Sequence, residues 1–113
     1  MSDIKEAISS YKVTLGRQLK ADGADYYAII DCTGSKGHHL LIYFLRPDSK
    51  KTPDNSYYTS TKTGTVILPF DLYPNYIDLL RNEKPVSMHI RTDHLEWTSI
   101  HTNEEKVGED KGA

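Results

Sequence analysis

The sequence predicts an α+β domain: a mostly antiparallel sheet of five or six strands built from three hairpins, with an N-terminal helix and a short helix before the last hairpin. Three observations carry this reading. Apolar residues recur at helical spacing near the N-terminus, pairs of strand-like runs are joined by turn-forming stretches, and a proline-initiated apolar run stands before the last pair.

The first helix rests on Ile4, Ile8, Tyr11, Leu15 and Leu19, whose spacings of three and four place them on one stripe. Asp3 and Glu6 have the spacing of a capping box, and Gly23 supplies a C-terminal stop. Gly16 weakens the middle by about 1 kcal/mol relative to alanine, so this helix is expected to need a surface to pack on.

"DYYAIIDC" (25–32) and "HHLLIYFLR" (38–46) have strand length and are rich in aromatic and branched residues, and "TGSKG" joins them as a hairpin loop. Placing Cys32 opposite His38 sets Ile30 against Leu40, Ala28 against Ile42 and Tyr26 against Phe44. The other face then carries Asp31 with His39, Ile29 with Leu41 and Tyr27 with Tyr43. Both faces are apolar away from the loop, so one is expected to meet the helix and the other a further part of the chain or a second copy.

"PDSKKTPDNS" (47–56) is a loop, and "YYTSTKTGTVILPF" reads as a second hairpin with its turn near Lys62 to Gly64 and an edge position for its polar first strand. A short helix follows, with Pro74 in its first turn, Tyr76, Ile77, Leu79 and Leu80 on its apolar side, and Pro85 beyond its end. In the last hairpin, Asp93 and His94 as a two-residue turn pair Thr92 with Leu95 and Ile90 with Trp97. One face then collects Val86, Met88, Ile90, Leu95 and Trp97; the other holds Ser87, His89, Arg91, Glu96, Thr98 and Ile100.

With 113 residues, the chain reads as one globular domain over 1–101, followed by an acidic tail, 102–113, that is expected to be disordered because Val107 is its one large apolar residue. Setting aside that tail's four acids and two lysines leaves 12 basic and 12 acidic residues, so the basic excess of a nucleic-acid binder is missing. No apolar run approaches the roughly 20 residues of a membrane span, and the N-terminus lacks a signal-type apolar core, which gives a cytoplasmic expectation with no membrane partner. A single cysteine excludes an internal disulfide and a multi-cysteine zinc site.

Candidate chemistry is incomplete at each point. "TGSKG" holds the glycines and the Lys36 that a phosphate loop uses, and Asp31, Thr33, Gly34 and Lys36 between two strands are locally similar to the phosphate hairpin of actin-like ATPases, whose folds need a much longer chain. Cys32 beside His38 would begin a nucleophile and base pair, without a third member. His38 and His39 point to opposite faces and cannot chelate one ion, as do His89 and His101 in the register above, so no metal and no cofactor are expected. His89, Arg91, Glu96 and Thr98 share a strand face suited to an anion, with Arg91 as clamp; Lys36 and His39 form a second candidate for such a ligand. Eight tyrosines favour an interaction surface, for which Tyr27, Tyr43, Tyr57 and Tyr58 are the candidates. The functional expectation is a small non-enzymatic binding or adaptor protein, forming a homodimer and engaging a protein partner or a small anionic ligand. A hydrolase or transferase acting on an anionic substrate is the alternative, and single-strand nucleic-acid binding through Tyr57, Tyr58 and nearby lysines is a third reading.

Overall fold

The N-terminal stripe belongs to a strand, not to a helix. In the computed structural model, which describes residues 3–102, β1 runs from Ile4 to Ala21, followed by β2 (Ala24–Gly34), β3 (His39–Leu45), β4 (Ser56–Tyr58) and β5 (Thr63–Pro69). A 3-10 turn (Phe70–Leu72) leads into the helix α1 (Tyr73–Asn82), then β6 (Val86–Ile90), a 3-10 turn (Leu95–Trp97) and β7 (Ser99–Thr102). The expected helix is overturned for a specific reason. β1 contains register shifts between Ile8 and Ser10 and between Leu15 and Leu19. The first shift moves the inward parity from Ile4, Glu6 and Ile8 to Tyr11 and Val13, so a bulged strand spaces its apolar residues as a helix would. Tyr11, Val13 and Thr14 favour the extended state, and β2 supplies the partner that decides it.

The strands form one sheet in the order β4-β5-β3-β2-β1-β6-β7. It is mixed, because β5 pairs parallel to β3, where the sequence suggests antiparallel neighbours. The loop 46–55, β4 and a turn over 59–62, rather than one near Lys62 to Gly64, carry the chain back to the start of β3, where the His39 N–H bonds to the Lys62 carbonyl at 2.8 Å. The sheet curls into a half-barrel: β5 and β6 are far apart in strand order, yet Gly64 of β5 faces Ile90 of β6 so closely that a methyl group at position 64 would stand 3.1 Å from Ile90 Cγ2.

Inside the curl, Ala28, Ile30, Cys32, Leu40, Ile42, Phe44, Met88 and Ile90 are almost fully removed from solvent. The short helix forms where the sequence places it, with Pro74 in its first turn, and it closes the concave side. Phe44 meets Tyr73 and Tyr76 edge to face at 5.3 and 5.7 Å, and Leu80 is buried beneath.

The β2–β3 hairpin is slipped by two residues from the expected register, with Thr33 opposite His39 and Cys32 opposite Leu40. Gly34 N–H bonds to the His38 carbonyl at 2.7 Å, so the turn is tighter than "TGSKG" suggests. A two-residue slip keeps the side chains from Ala28 to Thr33 on their expected faces, while Tyr26 and Tyr27 exchange faces. The second face meets the chain itself at one end. A bulge at Tyr27 turns Tyr26 outward against Tyr43 (4.9 Å) and Tyr27 inward against Phe70 (4.9 Å), and Pro53, Asp54 and Ser56 border the cavity formed by Tyr26, Tyr43 and Ile67.

The β6–β7 hairpin is slipped by one residue, with Met88 opposite Ile100 and His89 opposite Ser99. Ile100 packs against the core and Trp97 is 54% exposed, the reverse of the expected split. The cause is the connection: a turn closed by His94 N–H to the Arg91 carbonyl runs into the 3-10 turn Leu95–Trp97, replacing the two-residue turn. Thr102, assigned to the tail, closes β7; the rest of the tail, 103–113, lies outside the described residues.

Candidate functional site

Two N-terminal carboxylates, Asp3 just before β1 and Glu6 within it, meet residues of the anion candidates expected from the sequence. At the first, Asp3 Oδ2 lies 3.1 Å from His89 Nε2 and 3.1 Å from Arg91 Nε. His89 in contact with the carboxylate, helped by the Arg91 charge, holds the Asp3 carboxyl below the usual carboxylate range. At the second, Glu6 enters the "TGSKG" loop. Its Oε1 accepts the Lys36 backbone N–H at 2.8 Å, and its Oε2 bonds to His38 Nδ1. Only 2% of the Glu6 side chain is exposed, so these partners are what allow a carboxylate to be buried there. Gly34 makes room for it, because a methyl group at that position would collide with Glu6 Oε1 and Met88 Cε.

Asp3 and Glu6 are the residues whose spacing suggests a capping box. With Glu6 in β1 and Asp3 just before it, they instead go to separate partners, Asp3 to His89 and Arg91 and Glu6 to Lys36 and His38.

Around the first carboxylate, the structure gathers more than the sequence does. Arg91 sits over the Trp97 ring at 5.4 Å, His94 stacks on the same indole at 4.1 Å, and the Thr98 hydroxyl accepts the Arg91 backbone N–H at 3.1 Å. Glu96 turns to His94, with 3.6 Å between Oε2 and Nδ1. Thus His89, Arg91 and Thr98 of the predicted set come together, with Glu96 on the neighbouring turn. Asp3, His94 and Trp97 are the additions. Trp97 was hidden by the expected register, which buried it; an aromatic residue in a turn segment was the available signal.

No family model matches the sequence, and neither a curated protein nor a solved structure matches it significantly.

The remaining candidates separate. Lys36 contributes its backbone rather than its ammonium to the Glu6 site. His39 shares the outer face with Asp31, Nδ1 to Oδ1 at 3.8 Å, and contacts the Thr33 hydroxyl at 3.4 Å. Cys32 has Leu40 as its cross-strand neighbour, so the expected pairing with His38 is absent, and burial pushes its thiol up to about 12. The slip in β6–β7 puts His89 and His101 on one face rather than two, but among the described residues no group of three metal-ligating side chains forms. Of the tyrosines, Tyr27 lies under Arg46 (5.1 Å) and against Phe70, Tyr43 meets Tyr26, Tyr57 packs on the core, and Tyr58 is 62% exposed on the edge strand. Among the described residues no helix is long and apolar enough to cross a membrane.

Proposed function

We propose that this chain is a small non-enzymatic binding protein that engages a protein partner through the turn between β6 and β7. The observation that carries the reading is Trp97, more than half exposed yet in contact with both the Arg91 guanidinium and the His94 ring. Tryptophan and arginine at one surface point are the residue types that dominate protein interfaces, because each offers a large contact area in a restrained geometry. Asp3 holds Arg91 in place and at the same time occupies the clamp that a small anion would use. A partner surface therefore fits this patch better than a free anionic ligand, which would have to displace an internal carboxylate. Self-association belongs to the same reading, with Trp97 and Tyr58 as exposed anchors.

Trp97 is the chain's one tryptophan, so its fluorescence reports on this patch without labelling. Native mass spectrometry of gently purified full-length protein identifies any bound partner or second copy. Titration with that species should shift the indole emission to shorter wavelength, and Trp97→Ala should weaken binding at least about tenfold. Unchanged emission together with undiminished binding by the variant would remove Trp97 from the interface and the reading with it.

A catalytic reading has one specific observation in its favour. Glu6 orients His38 through Nδ1, as a carboxylate orients a general base. If His38 serves a reaction on an anionic substrate, His38→Gln should abolish turnover while leaving binding intact.

A further inference from the structure

The cavity bordered by Tyr26, Tyr43 and Ile67 has a volume of about 140 Å³, and Tyr58 of β4 adds a third tyrosine to its lining. The Tyr26 and Tyr43 rings meet at 62°, so they stand as two inclined walls. Tyr26 is 1% exposed, and its hydroxyl has no hydrogen-bond partner among the described residues. Burial, and then Tyr43 and Asp22, push that hydroxyl above the usual tyrosine range, so the Asp22 carboxylate at the cavity lies within electrostatic reach of it.

Two carboxylates stand at the rim. Ala21 and Ala24 pair across a two-residue turn, Asp22 and Gly23, in which both residues have positive φ, the form that Asp-Gly favours in hairpins. This turn brings Asp22 to the cavity, and the end of the loop 46–55 brings Asp54. The loop is fixed at two points: the Ser49 hydroxyl accepts the Asp25 N–H at 3.1 Å, and Asn55 Oδ1 accepts the Ile67 N–H at 2.8 Å. Among the described residues neither Asp22 nor Asp54 makes an ion pair. Lys51 is the cation of the adjoining groove, where its Nζ would lie 3.9 Å from a methyl group at Gly23, so two carboxylates face one ammonium there.

We propose that this cavity binds an alkylated ammonium group, with the tyrosine rings around its methyl groups and Asp22 and Asp54 balancing its charge. Aromatic rings attract a cation through their quadrupole, most strongly where water is excluded, as beside the buried Tyr26. The Tyr26 oxygen, with no internal partner, can turn its lone pairs toward that charge. Size selects the alkylated form. An unmodified ammonium is close to a water molecule in size, about 30 Å³, and would leave most of the cavity to solvent, whereas a cavity of about 150 Å³ holds a benzene-sized group and therefore a trimethylammonium head. An anion would meet both carboxylates at the rim.

Calorimetric titration of the full chain with choline tests this, with its carbon isostere, in which a tert-butyl group replaces the trimethylammonium, as the uncharged control. Choline should bind saturably in the millimolar range and at least about tenfold more tightly than the isostere, while the Trp97 emission stays unchanged. Tyr58→Ala, at an exposed position of the edge strand, should weaken binding about fivefold, and Tyr58→Phe, which keeps the ring, should restore it. Asp54→Asn should weaken binding and Lys51→Met should strengthen it, each about threefold, because one removes an attraction and the other a repulsion. An acetylated, amidated peptide containing trimethyllysine presents the same head from a protein. Tighter binding of that peptide supports the proposal with a modified partner as the source, and tighter binding of choline supports it with a free small molecule. Equal binding of the isostere, no saturable binding of either ammonium in the millimolar range, or binding unaffected by both Tyr58→Ala and Asp54→Asn would overturn the proposal. So would a change in indole emission that tracks the binding, which would move the cation to Trp97.

Discussion

Glu6 is the residue on which the β2–β3 turn is built. A buried carboxylate is costly unless its oxygens are bonded, and here one takes a backbone N–H and the other a histidine. Gly34 is required for a different reason from Gly37. Gly37 adopts φ +90 with open space around its α-carbon, whereas Gly34 is crowded by Glu6 and Met88. Gly37→Ala should therefore cost about 1 kcal/mol, the price of a left-handed backbone, and Gly34→Ala about 2 to 4 kcal/mol by expelling Glu6. Denaturant unfolding of the two variants measures the difference; equal losses would mean that the carboxylate moves aside without penalty.

At the level of elements, the last hairpin shows how a turn controls a face. The 3-10 turn Leu95–Trp97 shifts β7 by one residue, which carries Ile100 to the core side and leaves Trp97 in solvent. Ile100→Ala should cost about 2 kcal/mol through lost packing, and Trp97→Ala about 1 kcal/mol or less, since only its contacts with Arg91 and His94 are lost. Thermal melts of the two variants decide between the registers, because the two-residue turn predicts the opposite ranking. The alternation of polar and apolar residues in 86–100 was legible; the length of the turn, which sets their pairing, was not.

At the scale of the whole molecule, the curl of the sheet depends on β5 and β6 meeting inside it. Gly64 permits that approach to Ile90, so Gly64→Val should cost about 2 kcal/mol by overpacking. In combination with Ile90→Ala the two changes should be non-additive by about 1 kcal/mol, as expected of residues in contact. Additive losses in a double-mutant cycle would show that the strands do not touch there. The parallel pairing of β3 with β5 belongs to the same scale: both strands were readable as strands, but parallel neighbours are joined by a distant crossover that leaves no local signal.

Local patterns of the sequence determined which runs between Asp25 and Ile90 are extended and the short helix behind Pro74, since each follows from neighbours within a few residues. They also placed His89, Arg91 and Thr98 on one face. Tertiary structure alone decided the state of β1, because a bulged strand and an amphipathic helix share the same apolar spacing and only pairing with β2 and β6 separates them. That one decision sent Asp3 to His89 and Arg91 and Glu6 to the backbone of the Lys36 loop. A carboxylate's partner across the sheet is set by strand order and register, which are properties of the assembled chain.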